Sequence, residues 1–324
     1  MPTHLSGLQP TGLPHLGNYF GAIGNHIALQ EKGWDDFYFI ADYHALTSSR
    51  DPEALREQVR ETAICYLAFG LDPERATFFR QSDVPEVCEI TWLLASVCGL
   101  GLLERAHSYK DKLARGIKPS VGLFLYPVLM AADILAYDSD LVPVGVDQVQ
   151  HIEMAQDMAQ AFNHHYGPVF TRPEPVMSKH TKVPGLDGQK MSKSYGNDLW
   201  VFESGKKLKK AVGRITTDSR SPADPKDPDG IVLFDFLRLF LDEQELAEWR
   251  ERVRRGGPDA PGYGHLKQRL VEAIEEKFAP ARARREELLS DLGEVERVLA
   301  KGAEKARQRA SATRDRALRA CGLR

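Results

Sequence analysis

No apolar run in the 324-residue chain is long enough to cross a membrane, and no charged-then-apolar leader opens it. A cytoplasmic protein with no membrane partner is therefore expected. Cysteine is scarce. Cys65, Cys88, Cys98 and Cys321 form no C-x-x-C pair, so neither zinc nor a disulfide is expected, and the first three read as small apolar core residues. Internal repeats and low-complexity stretches are missing. So is the surplus of basic charge that advertises a nucleic-acid binder, since the net charge is −3. DNA is not an expected partner, although the distribution of charge says more than its sum. What is present, 42% hydrophobic and 27% charged residues, describes a globular chain long enough for one ordinary domain and a smaller one.

The pattern of elements changes once along the chain. Thr3–Gly7, Phe37–Ala41, Ala76–Arg80 and Leu141–Val144 are short apolar runs of the kind that form buried parallel strands. Helical patterns lie between them: His15–Lys32 stopped by Gly33, a helix opened by Asp51-Pro52-Glu53, an apolar helix over Pro85–Leu103, another over Gly122–Tyr137, and Val149–Phe162. This alternation predicts an α/β doubly wound parallel sheet, with ligands at the C-terminal ends of its strands. Trp92, Leu93, Leu94 and Val97 read as a core stripe, with a subunit contact as the sharper alternative. After about Gly205 no strand candidate remains. A helical domain over 205–324 is predicted beyond an α/β domain over 1–204, with helices broken near Gly256–Gly264 and Pro280 and the last one free to pack back on the α/β domain. That last helix carries Lys301, Lys305, Arg307, Arg309, Arg314, Arg316 and Arg319. A solvated face is the bland reading of such a charge run, and phosphate contact the sharper one.

Three stretches carry chemistry. Lys190-Met191-Ser192-Lys193-Ser194, flanked by Gly188 and Gly196, interleaves two ammonium groups with hydroxyls in a loop that can grip a polyphosphate. Gln9-Pro10-Thr11 runs through a turn to His15-Leu16-Gly17-Asn18 at a helix start, where backbone N–H groups and the dipole favour an anion and Gly17 leaves room for a flat purine. In Tyr126–Leu135 a single carboxylate, Asp133, stands in an otherwise apolar helix. A carboxylate there needs a donor, either elsewhere in the protein or from a ligand such as an indole N–H. Met130 lies three residues earlier on the same face, placed to pack on an aromatic ring.

The Lys190–Ser194 loop and His15–Asn18 match the two signature motifs of class I aminoacyl-tRNA synthetases, with Asn18 in the last place of the second. Tyr126–Leu135 resembles the tryptophan-pocket helix of the bacterial tryptophanyl enzymes. Gly145-Val146-Asp147-Gln148-Val149-Gln150-His151, Asp42–Thr47 and the tail segment Gly302–Ala306 are also similar to that family. The resemblance spans the first two-thirds of the chain in order. It implies a Rossmann-like catalytic domain, a helical domain that reads the anticodon, and a homodimer. It implies that Asp133 accepts the indole N–H, that Tyr126 and Gln148 hold the ammonium, and that Gln9, His44 and Met130 line the amino-acid pocket. Gln9, Pro10, Thr11, Gly17, Asn18, Gly145, Val146, Asp147, Val183, Met191, Ser192 and Ser194 are implied at ATP. His15, Asn18, Lys112, Lys190 and Lys193 are the implied catalytic group around the triphosphate, with Mg²⁺ as helper. Val146 stands where the family usually has Glu, and Tyr43 where many relatives have Gln. The first puts a polar contact to ATP in doubt, and the second alters the pocket lining.

The expected activity is ATP-dependent formation of tryptophanyl-adenylate, followed by transfer to the terminal ribose of tRNA(Trp). A tyrosyl enzyme is the nearest alternative, because a phenol O–H also suits a carboxylate. A paralogue that has lost catalysis and only binds RNA is the alternative from another class.

Overall fold

The computed structural model describes residues 1–106, 120–145, 148–177 and 183–324. Five strands form one sheet: β1 (Thr3–Leu8), β2 (Asp35–Ile40), β3 (Ala76–Arg80), β4 (Leu141–Val144) and β5 (Glu174–Met177), in the order β3-β2-β1-β4-β5. Every pairing is parallel, with Leu5 opposite Phe37 and His4 opposite Leu141. Strand order reverses between β1 and β4, which opens a crevice at their C-terminal ends. The sequence reading missed β5. Its Arg172-Pro173-Glu174-Pro175 stretch looks like a turn, and a proline is tolerated there because β5 is an edge strand.

The helices form where local signals and burial agree. α1 (Pro52–Ala68) starts as predicted, with the Asp51 carboxylate accepting the N–H groups of Glu53 and Ala54. The Pro85–Leu103 helix is instead two, α2 (Glu86–Ala95) and a short helix Leu100–Glu104, broken around Gly99. In α2 Leu93 and Leu94 are buried but Trp92 is 75% exposed, so that stripe divides between core and surface. α3 (Val121–Ala136) is capped by Ser120 and packs on α2 and α4 (Val149–Tyr166). The predicted His15–Lys32 helix is a composite, with a π-helical stretch at Tyr19–Ile23 between α-helical Leu16–Asn18 and Gly24–Leu29. Of the cysteines read as core, Cys65 is buried, whereas Cys88 is exposed.

Beyond the sheet, α5 (Gly205–Gly213), α6 (Val232–Leu237), α7 (Glu243–Arg255) and α8 (Tyr263–Ser290) share an apolar cluster built on Leu208, Phe234, Phe236, Leu270 and Phe278. The break expected at Pro280 does not occur. α8 continues through it, because buried Phe278 and Ala281 anchor the helix on both sides.

α9 (Leu292–Ala320) returns to the sheet and lies along its β3 edge. Val295 and Leu299 join the core on one sheet face, and Ala303, Ala306, Ala310 and Ala317 join the core on the other. A Cβ at Gly302 would sit 1.9 Å from the Phe78 carbonyl oxygen, so only glycine allows the helix this close to the strand. Five of the seven cations in the basic run of α9 have acidic partners, while Lys305 and Arg319 are exposed. Lys301 pairs with Glu74, Arg307 with Glu86, Arg309 and Arg316 with Asp138, and Arg314 with Glu86 and Glu89. These five cations fasten the helix to the sheet-bearing half.

Intrinsic helix propensity alone would make Gly302→Ala stabilising by about 1 kcal/mol. The contact with Phe78 reverses that sign: urea unfolding of the variant is expected to show a loss of about 3 kcal/mol. A gain in stability would mean that α9 does not sit this close to β3.

Candidate active site

The strand ends converge on a cavity of about 510 Å³. Leu5, Gly7 and Gln9 come from β1 and the turn after it, Phe39 and Ala41 from the end of β2, and Val142, Val144 and Gly145 from β4. α3 contributes Tyr126, Met130 and Asp133, spaced so that all three share one helix face. His44 and Thr47, which follow β2, and Gln148 and His151, which open α4, complete the wall. The structure thus brings together every tryptophan-pocket residue singled out from sequence: Gln9, His44, Tyr126, Met130, Asp133 and Gln148.

Asp133 is 1% exposed. Burial raises its pKa, and hydrogen bonds from His44 and Gln81 partly offset the rise. Gln81 Nε2 lies 2.8 Å from both carboxylate oxygens, and His44 Nε2 lies 2.9 Å from Oδ2. Both readings of the lone carboxylate therefore hold at once: it has partners within the protein, and it faces a cavity. Tyr126 Oη lies 2.6 Å from His151 Nε2, and burial pushes the Tyr126 phenol up to about 12, so it stays protonated as a donor.

Gln81 and His151 were not anticipated as site residues. The signal for Gln81 was its place directly after the apolar strand β3, where the chain turns polar as Arg80-Gln81-Ser82-Asp83. The signal for His151 was its membership of the segment that begins α4.

The two motif loops meet beside this cavity. His15 caps the following turn: its Nδ1 accepts the Asn18 N–H at 3.2 Å, and the Asn18 amide oxygen accepts the His15 N–H at 3.1 Å. Ala22, further along the same helical run, lines the cavity. The space that a side chain would take at Gly17 is filled by the His15 ring at 2.9 Å and Met191 Cβ at 3.6 Å, and the Gly17 N–H points at Met191 Sδ at 3.3 Å. The glycine assigned to a purine therefore also has an intramolecular reason, the closeness of the His15 ring within the same motif.

Lys193 Nζ donates to the Thr11 carbonyl at 2.7 Å and lies 5.0 Å from the centre of the Trp200 ring. Desolvation there lowers its pKa, and burial together with that ammonium lowers the pKa of His15. Lys190 and Ser194 are exposed, and Ser192 and Ser194 bond through their hydroxyls. Asn197 holds the loop in shape, accepting the Ser192 N–H and donating to Asp187 and the Lys190 carbonyl. Met191 and Val183 are buried in the helical cluster, which ties the lysine loop to the C-terminal helices. Pro10 is buried at the turn after β1. Lys112, Val146 and Asp147 lie outside the described residues.

A parallel sheet with a cavity at its strand ends, a buried acceptor in that cavity and an adjoining cationic loop suits an aminoacyl-adenylating enzyme. Comparison with known proteins agrees. The sequence model of class I tRNA synthetases for tryptophan and tyrosine matches residues 2–279. A tryptophan–tRNA ligase of Rhodopirellula baltica is 55% identical over 99% of this chain and 99% of its own. One from Fusobacterium nucleatum is 50% identical over 95% of this chain and 94% of its own. The crystal structure of tryptophanyl-tRNA synthetase from Campylobacter jejuni, complexed with ADP and tryptophan, superposes with a TM-score of 0.92 at 46% identity, covering 99% of this chain and 100% of that one. The chain belongs to the class I aminoacyl-tRNA synthetases, among the bacterial tryptophan–tRNA ligases.

Proposed function

We propose that this chain activates L-tryptophan with ATP, releases pyrophosphate, and transfers the tryptophanyl group to the terminal ribose of tRNA(Trp). The observation that carries the reading is the buried carboxylate of Asp133, on an otherwise apolar helix, in the wall of the cavity at the sheet's switch point. An indole N–H reaching that carboxylate satisfies it. A phenylalanine ring leaves it unpaired, and sites of this kind reject such analogues by about four to five orders of magnitude.

In the proposed mechanism the indole enters between Met130 and the strand ends, and Tyr126 and Gln148 take the ammonium. His44 and Gln9 close the pocket. The substrate carboxylate then attacks the α-phosphorus of ATP. The adenosine lies along Gln9-Pro10-Thr11, Gly17, Gly145, Val183 and Met191, with Val146 and Asp147 assigned to it by resemblance. His15 and Asn18 donate to phosphate oxygens, and Lys190, Lys193, Ser192 and Ser194 neutralise the departing pyrophosphate, aided by Lys112. The protein's share is positioning and charge stabilisation. Lys193 exchanges the Thr11 carbonyl for a phosphate oxygen. The ADP bound to the Campylobacter relative supports a nucleotide here.

Among the described residues no group of three or more His, Cys, Asp or Glu side chains is arranged to hold a metal ion. Mg²⁺ is placed here as a companion of the triphosphate.

We further place the anticodon on the helical part beyond 205 and pair two chains into a homodimer. The dimer reading is supported by exposed Trp92, Leu100 and Val121, which stand on neighbouring elements. The protein works in the cytoplasm. No helix among the described residues is long and apolar enough to cross a membrane.

Pyrophosphate exchange into ATP tests the reading, with tryptophan and tyrosine run side by side. Exchange with tryptophan alone is expected. Exchange with tyrosine instead would keep the chemistry and overturn the pocket, and exchange with neither would point to a paralogue that has lost catalysis. Asp133→Ala is expected to lose tryptophan discrimination, and near-normal selectivity in that variant would contradict the assignment. Lys193→Ala is expected to lower kcat about 10²- to 10³-fold with little change in the tryptophan KM. A rise in that KM at constant kcat would put the lysine on the amino acid rather than on the triphosphate. For the dimer, light scattering should give about twice the 36.3 kDa of one chain. The mass of a single chain at every concentration would count against it.

A further inference from the structure

We propose that Gln81 is a positioning residue for tryptophan specificity, holding the Asp133 carboxylate in the orientation that leaves one acceptor direction open to the indole N–H. The inference rests on the reading of the cavity as a tryptophan pocket. Gln81 follows β3 in the turn Gln81–Asp83 and is 1% exposed. It sits behind Asp133 and acts through it.

The amide can face only one way. Its carbonyl oxygen accepts the N–H of Tyr43 at 3.1 Å and of His44 at 3.4 Å. The NH₂ end is therefore turned to Asp133, where it donates at 2.8 Å to each oxygen. The nitrogen shared by both oxygens together with the His44 bond to Oδ2 alone gives three points that fix the plane of the carboxylate, which either partner alone would leave freer to turn.

An ionised carboxylate offers about four acceptor directions. Gln81 uses one on each oxygen and His44 uses one on Oδ2. A single direction is left, and the cavity is where it opens. That suits a ligand with one N–H and no more, which an indole has and an ammonium group does not. His44 belongs to the same circuit, since its backbone N–H orients Gln81 and its ring bonds Asp133. The neighbouring bonds hold this corner still: Asp42 accepts the N–H of both Tyr43 and Ser82, so the ends of β2 and β3 move together.

The competing explanation is that Gln81 only ties those strand ends together. The two explanations differ in what a substrate lacking the N–H would report. Tryptophan and its benzothiophene analogue, 3-(benzothiophen-3-yl)-L-alanine, share shape but not the donor. Pyrophosphate exchange is measured with both, for the full-length protein and for Gln81→Met, which keeps size but makes no hydrogen bond. Positioning predicts that Gln81→Met lowers kcat/KM for tryptophan about 10- to 100-fold, chiefly through KM. The analogue should change less than about threefold, so that discrimination collapses. Parallel loss for both substrates, or no loss for either, overturns the proposal.

Gln81→Glu gives a second test if the methionine variant does not fold. It keeps the acceptor for Tyr43 and His44 but turns an oxygen toward Asp133, and the same selective loss is expected. Unchanged discrimination there also overturns the proposal. If the unmodified protein shows no tryptophan-dependent exchange, the functional reading itself has failed. If it discriminates and both variants do so equally well, only the role of Gln81 has.

Discussion

A carboxylate removed from water is costly unless it is bonded on nearly every side, and the arrangement of this site answers that cost at Asp133. Gln81 and His44 supply part of the compensation, and the remainder is left to whatever enters the cavity. Full internal satisfaction would give a more stable helix and no reason to bind an indole. Leaving the carboxylate with one open direction makes an incoming N–H the missing bond. Selectivity then follows from the penalty for an analogue that cannot complete the set.

The sheet makes that geometry possible. Its strand order reverses between β1 and β4, so the ends of those strands part and admit a ligand, while β2 and β3 bring His44 and Gln81 from one side. The edge beyond β3 is covered by α9, whose glycine rests on the strand backbone and whose cations bind acidic groups of α2 and of the turn after α3. Covering that edge also removes a template for unwanted strand pairing. On the other side of the site, Met191 and Leu16 belong to the helical cluster of α5–α8. The lysine loop is thus anchored in the part of the chain assigned to tRNA, and movement of those helices would be felt at Lys193.

Much of this could be read from residues alone, for a physical reason. Buried parallel strands announce themselves as short apolar runs, and Asp51-Pro52 or Gly33 punctuate helices by rules that tertiary structure seldom overrides. β5 was hidden because prolines at a sheet edge look like those of a turn. Pro280 misled in the opposite sense, since packing on both sides carried α8 through a residue that local rules treat as a stop. The ion pairs of α9 could not be foreseen, because a charge run says nothing of where its partners lie, and Glu86 and Asp138 are far away in sequence. Gln81 was missed for the same reason. Its importance comes from contacts with Tyr43, His44 and Asp133, none of them local, whereas Asp133 stood out because its own helix is so apolar.

The central claim is that the indole N–H of tryptophan bonds to the ionised Asp133 inside the cavity. It is tested most directly by proton–nitrogen correlation spectra of tryptophan labelled with ¹⁵N in the indole ring. The account predicts that, on binding, the indole proton moves downfield of its position in free tryptophan and is protected from exchange with solvent, and that Asp133→Ala abolishes the shift. A bound indole proton that keeps its free position and exchanges freely would contradict it.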